Sequence, residues 1–332
     1  MDYNKTALNK QDNINYNTVL LNVYRKRYEK DAIENQELLS PGFIAVTHKG
    51  LSNEKSLFNS HMDVATLVAI ASFGNIINNE LVSNMVSLEM IMSRLQFTGN
   101  ISRKRQEVKE SINLLIKKGI VKAEDLSGNE VKSINNDMYS TLVTFTQQTI
   151  KKGSSNTSYY QIKWSEFIKI VNSELSDAKK TSLIATLCSL KSSMNDIKLS
   201  GNKKLTDVAT LNKYRSLFCL SNQDKIAKRV GFKSRQTVTN YINELEKMNI
   251  IKSLKVHRVG EADHMWSYYY SDLSRHKHLL NFAEGLINVG FIDNDADSKY
   301  HNLAYLNIDK VYNEGVNIVR DGKEFKVKGV SS

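Results

Sequence analysis

Arg235, Gln236, Thr239, Asn240 and Asn243 recur at intervals of one and three residues, which places them along one side of a helix. Guanidinium and amide groups match the major-groove edges of guanine and adenine bidentately, so the chemistry open to this set is the reading of base pairs. Lys233 and Arg235 stand at the helix start, where cations would meet phosphates, and Ser234 and Thr237 add hydroxyls there. Lys255, His257 and Arg258 follow on an apolar, partly β-branched run and would approach the backbone or minor groove. An earlier cluster, Arg103, Lys104, Arg105 and Lys109, crowds the start of another helix.

The elements that must position these residues can be read around them. Ser221 is a good N-cap for a short helix whose Ile226, Ala227 and Val230 line one face. Gly231 falls where that helix must stop in a left-handed conformation, and Phe232 would plug the turn. Ser234 caps the next helix, along which Val238, Tyr241, Ile242 and Leu245 form one stripe for burial. Past Met248, the run Ile250 to Val256 and a second run, Trp266 to Tyr270, should pair across the loop Val259 to Asp263 as a β-hairpin. Short helix, turn, basic helix and hairpin is the order of a winged helix-turn-helix.

The same logic occurs earlier. Val108, Ile112, Leu115 and Ile120 have the spacing of Val238, Ile242, Leu245 and Ile250, and Gly119 takes the place of Asn249. Upstream, Ile91 precedes Val108 by seventeen residues where Ile226 precedes Val238 by twelve, so five residues are added around the turn Phe97 to Ile101. Each copy opens on a β-type segment followed by an apolar helix: Gly42 to Thr47 then Met62 to Asn79, and Tyr159 to Trp164 then Ser165 to Val171 and Asp177 to Met194. The first hairpin would run from Val121 through Asp125 to Asn136 and back along Tyr139 to Thr146. The fold expected is α+β and helix-rich, with two tandem winged helix-turn-helix domains and a small C-terminal extension. Its parts would be a flexible N-terminal segment over 1–40, a first domain over 41–150 for dimerisation or DNA contact, a sequence-reading domain over 158–272, and a helix and hairpin over 273–332. The stretch Lys151 to Thr157 reads as the boundary between domains, Ile197 to Ser216 as a basic insertion, and Asp321-Gly322 as a two-residue hairpin turn.

Composition agrees with a polyanionic partner. The net charge is +11, and nine cations against three acids between residues 222 and 258 place +6 of it in the second copy. The hydrophobic fraction of 41% excludes wholesale disorder. Cys188 and Cys219 lack the spacing of a zinc site or disulfide framework and read as reduced core residues. The N-terminus lacks an apolar signal segment, and the stretch Val64 to Phe73 is too short for a bilayer, so a cytoplasmic protein without membrane contact is expected.

Catalytic patterns are weak. SGNKK at Ser200 to Lys204 lacks the spacing of a phosphate-binding loop. His276-Lys277-His278 resembles the metal-binding histidine pair of rolling-circle nickases, but at a helix start positions two apart do not share a face, and a solvated basic turn is expected instead. Asp293, Asp295 and Asp297 lack the glycine and glutamate of a calcium loop. Of Tyr268, Tyr269 and Tyr270, strand alternation makes at least one a core residue. A binding protein with no cofactor and no metal is expected, not an enzyme.

Two such domains in one basic chain resemble the replication initiators of theta-type plasmids and related mobile elements, over about residues 40 to 270. The resemblance implies a protein that binds repeated double-stranded DNA sites in an origin, helps recruit a host helicase or initiator protein, and forms a homodimer through its first domain. A winged-helix transcriptional regulator acting at an operator and a helicase-loading primosome adaptor are the alternatives.

Overall fold

The computed structural model describes residues 10–51, 56–78, 80–149, 159–194, 214–215, 217–220, 223–258, 266–292, 303–306, 316–320 and 323–327. The chain is a helix-rich α+β protein. It divides into two compact units: Ser40–Met194 with Gln223–Ile250, and Met1–Leu39 with Asn195–Asn222 and Ile251–Ser332. In chain order the helices of the described residues are α1 (Lys10–Glu34), α2 (His61–Ala71), α3 (Leu88–Leu95), α4 (Ile101–Lys117), α5 (Trp164–Val171), α6 (Asp177–Lys191), α7 (Gln223–Val230), α8 (Arg235–Lys247) and α9 (His276–Ile292).

The larger unit is built around α2 and α6, which pack together. Each is buried along nearly its whole length; α2 is largely apolar, and α6 buries hydroxyls that bond within the helix, such as Thr186 donating to the Ser182 carbonyl at 2.9 Å. Covering Val64, Leu67, Val68 and Ile70 stabilises the unit by about 1.5–3 kcal/mol per side chain. A capping box starts α2: the Ser60 hydroxyl accepts from the Asp63 amide, and the Asp63 carboxylate accepts from the Ser60 amide at 2.7 Å. The helix stops at Ala71, short of the expected Asn79. Residues Gly74–Ile77 instead form strand β2, where β-branched Ile76 and Ile77 pair with Leu81 and Glu80. Beside the central helices, β1 (Phe43–Thr47) pairs antiparallel with β6 (Tyr159–Lys163), in a register running from Phe43↔Lys163 to Thr47↔Tyr159. The two sequence copies are thus joined within one core. Under that ladder, burial pushes the Cys188 thiol up to about 12, with the Tyr160 hydroxyl bonded to it, so Cys188 is an inert core group. Cys219 is buried too.

The first copy continues through β3 (Glu80–Val86), α3, α4, β4 (Val121–Glu124) and β5 (Val143–Gln147), in an antiparallel sheet of order β2-β3-β5-β4. The second continues through β7 (Cys219–Leu220), α7, α8, β8 (Ile251–Arg258) and β9 (Trp266–Asp272), and its sheet has the order β10-β8-β9-β7, with β10 at Leu303–Leu306. In both, the strand before the helix pair neighbours the last strand of the hairpin.

The smaller unit holds that second sheet with α1, α9 and the hairpin β11 (Val316–Arg320) and β12 (Lys323–Val327). The segment 1–40, expected to be flexible, carries the twenty-five residues of α1. Leu21, Tyr24 and Leu38 are buried, Arg25 pairs with Glu284 of α9, and Asp31 holds Lys252 of β8 in a nearly buried ion pair. A polar sequence with a few well-spaced apolar residues is enough once another surface covers them. Phe282 of α9 lies 5.4 Å from the rings of both Phe218 and Tyr269. Tyr269 and Tyr270 are both buried, because the sheet is covered on both faces, while Tyr268 is half-buried. His276 is buried rather than solvated, and burial, reinforced by Lys252 and Arg27, pulls its imidazole down to about 3. Ser221, the loop Val259 to Asp263, the Lys151 to Thr157 boundary, most of the 197–216 insertion, the 293–297 aspartates and the Asp321-Gly322 turn lie outside the described residues; Arg320 does pair with Lys323 across that turn.

Candidate nucleic-acid interface

The α7–α8 pair is held from beneath by α6. Ile226, Ala227, Val230, Val238, Ile242 and Leu245 are buried, Tyr241 half-buried. Gly231 takes φ +75°, the left-handed conformation that ends α7 without a β-carbon clash. Phe232 is buried in the turn, its ring 4.1 Å from His61 and 5.3 Å from Tyr241. Burial pulls the His61 imidazole below its ordinary range, against the opposing pull of Asp63, and His61 Nδ1 lies 2.9 Å from the Ser182 hydroxyl.

α8 turns its polar side to solvent. Ser234 caps it, accepting from the Thr237 amide at 3.2 Å with its hydroxyl 2.8 Å from that of Thr237. Lys233, Arg235, Gln236, Asn240 and Asn243 are exposed, and Thr239 is half-buried. Gln223, the first residue of α7, accepts at one oxygen from Arg235 Nε and from the Thr239 hydroxyl, both at 2.9 Å. That clamp orients Arg235 and leaves its two terminal nitrogens without a hydrogen bond among the described residues. Gln236 donates to Asn240 at 3.2 Å, which aligns two amides one turn apart. The result is a row of donors and acceptors with no acidic residue between Lys233 and Asn243.

α4 differs. Asn100 caps it through the Arg103 amide, and Val108, Ile112 and Leu115 are buried as their counterparts are. Its cations, however, have partners within the fold. Arg103 Nε and Lys104 Nζ reach Glu107 at 2.9 and 2.7 Å, Arg105 lies 4.0 Å over the Tyr139 ring, and Gln106 donates to Glu110. Burial pushes the Glu107 carboxyl up, but the hydrogen bonds and charges of Lys104 and Arg103 outweigh it and hold it below the usual range. Lys109 is half-buried on the same helix.

Lys255, His257 and Arg258 lie on β8, in register with Tyr268, Trp266 and Leu303. They belong to the other compact unit, so the set named from the sequence is divided among α8, α4 and β8. Among the cations counted between 222 and 258, Lys252 is committed to Asp31, and Arg229 to the C-terminus of α6 through the Ser189 carbonyl and the Ser193 hydroxyl. Sequence reading missed Gln223, whose partners are twelve and sixteen residues away across a turn. It also missed the pairing of Arg103 and Lys104 with Glu107, for which their four- and three-residue spacing was the signal.

Among the described residues no group of three or more His, Cys, Asp and Glu could hold a metal ion, and no helix is long and apolar enough to cross a membrane. The chain matches no protein-family model, curated protein or solved structure.

Proposed function

We propose that this chain is a sequence-specific double-stranded DNA-binding protein of the cytoplasm, built on two tandem winged helices, with α8 as the base-reading helix. The acid-free polar row on α8, with Arg235 oriented by Gln223, is the observation that carries the reading. The element order and strand order shared by the two copies support the winged-helix assignment. Together with the resemblance to theta-type initiators, this favours a non-enzymatic replication initiator that binds repeated origin sites and recruits host replication proteins.

Selection of bound duplexes from a random pool tests this. One enriched motif is expected, with its preference relaxed at one base pair in Arg235→Ala. Equal recovery of all sequences would refute base reading and favour a helicase-loading adaptor. Direct repeats of the motif at the protein's own locus mark an initiator, and a single palindrome marks a repressor.

A further inference from the structure

The two halves of the larger unit repeat each other closely enough to act as mutual controls. α2 and α6 end alike, with C-caps Ser72 and Ser192 whose hydroxyls donate to the Ala69 and Ser189 carbonyls at 2.6 and 2.9 Å. Phe73 and Ser193 come next. Arg94 and Arg229 also correspond, each three residues after the buried isoleucine of its helix, Ile91 or Ile226.

The two arginines meet different surroundings. Arg229 donates to the Ser189 carbonyl at 3.0 Å and to the Ser193 hydroxyl. Where Ser193 stands, the first half has Phe73, a ring that offers no such acceptor. The Arg94 guanidinium lies 4.3 Å from the Phe73 ring centroid and 4.7 Å from that of Trp164. Its Nε is buried without a hydrogen-bond partner, and burial pulls the group below its ordinary range. A half-buried guanidinium whose Nε is shut off from water without an acceptor is an incomplete arrangement.

Arg94 borders an open cavity of about 420 Å³, within the roughly 300–1,000 Å³ range usual for small-molecule sites. Phe73, Met90 and Ile168 give it an apolar wall, and Ser93 and Gln96 give it polar groups. Glu89 adds one negative charge, its carboxylate accepting from Ser140 at 3.1 Å. That charge opposes a polyanion such as a nucleic-acid backbone more than a singly charged ligand. We propose that Arg94 and this cavity bind a small organic carboxylate, with its oxygens on the guanidinium edge and its apolar body against Phe73, Met90 and Ile168. This site is independent of the DNA-reading assignment.

The test follows arginine Nε–H resonances of the full chain, with isotope-labelled arginine, during titration with sodium hexanoate, hexanol or inorganic phosphate. Hexanoate should shift the Arg94 resonance saturably in the millimolar range, as suits so small a ligand, and leave Arg229 unmoved. Hexanol and phosphate should bind about tenfold more weakly or not at all. Phe73→Ser supplies the hydroxyl that Arg229 enjoys and should abolish the hexanoate shift while Arg94 stays visible. Arg94→Lys, which keeps charge but loses the planar fork, should weaken ligand-observed binding about tenfold. A non-saturable shift, equal binding of hexanol or phosphate, or hexanoate binding unchanged in Phe73→Ser or Arg94→Lys would each overturn the site.

Discussion

The helix pairs α3–α4 and α7–α8 have the same buried spacing but expose different chemistry. Val108, Ile112, Leu115 and Ile120 match Val238, Ile242, Leu245 and Ile250 in burial, and the Ile120 and Ile250 amides donate to Leu115 and Leu245 at 2.9 and 3.0 Å. Gly119 and Asn249 take φ +60° and +58°. Of the five residues added in the first copy, one lengthens the turn, Gln96–Asn100 against Gly231–Ser234, and four extend the N-terminus of α4 by about one turn. Arg103 and Lys104 of that extra turn pair with Glu107, and Arg105, at the position of Arg235, lies over Tyr139, whereas α8 has no acid beside its polar row. The excess charge over 101–110 equals that over 233–243, four cations against two acids and two against none. Pairing, not charge count, separates the two surfaces.

The largest expected effect lies in the second half alone. Lys191 and Glu166 form an ion pair at 2.8 Å, 3% and 1% exposed, joining α6 to α5, a helix with no counterpart among the described residues of the first half. Lys191→Ala installs the residue that the first half has at Ala71 and removes the ammonium from one oxygen of the buried Glu166 carboxylate, whose other oxygen accepts from the Lys163 amide at 2.9 Å, so urea denaturation should show a loss of about 3–5 kcal/mol. A loss below about 1 kcal/mol would mean that Glu166 finds water or another donor.

Next comes acid sensitivity of the unit that carries the second hairpin. The folded imidazole of His276, near 3, is depressed from its ordinary 6.5, so the native state binds fewer protons than the unfolded chain in between. Stability should be full above about pH 6.5 and fall by roughly 1.4 kcal/mol per unit as pH drops toward 3. Replacing His276 with Leu should flatten that part of the dependence of melting temperature on pH.

DNA binding probes the helix comparison directly. Arg235→Ala should cost about 1–3 kcal/mol on a selected duplex and relax discrimination at one base pair. Arg103→Ala, with its guanidinium already on Glu107, should cost less than about 1 kcal/mol. Equal losses would erase the distinction drawn between the helices. Lys255→Ala should weaken binding to all sequences alike and lower the salt slope by about one, measured by titration at several ionic strengths.

The smallest effects concern the two turns. Gln96 and Gly231 occupy equivalent left-handed positions, at φ +47° and +75°. Gly231→Gln should destabilise by about 1–2 kcal/mol, and Gln96→Gly should stabilise by about 1 kcal/mol or less in thermal melts.

Much of the local structure was legible because it depends on local interactions. The cap at Ser234, left-handed ends at Gly231, Gly119 and Asn249, and the buried stripes of α4 and α8 follow from side-chain oxygens, absent or small β-substituents and 3.6-residue periodicity. The end of α2 at Ala71 and the burial of α1 were not legible. A sheet partner for Ile76 and a cover for Leu21 and Tyr24 come from residues distant in sequence.

The candidate interface divides in the same way. Which residue types line one side of α8 was determined by sequence alone, since helical spacing dictates which side chains share a face. Which of those groups are free to meet a ligand was decided by tertiary structure: Gln223 orients Arg235, Glu107 occupies Arg103 and Lys104, and Asp31 takes Lys252. The joining of the two copies through β1 and β6 is likewise tertiary, because strand pairing depends on which edges meet, and periodicity within one strand does not name its neighbour.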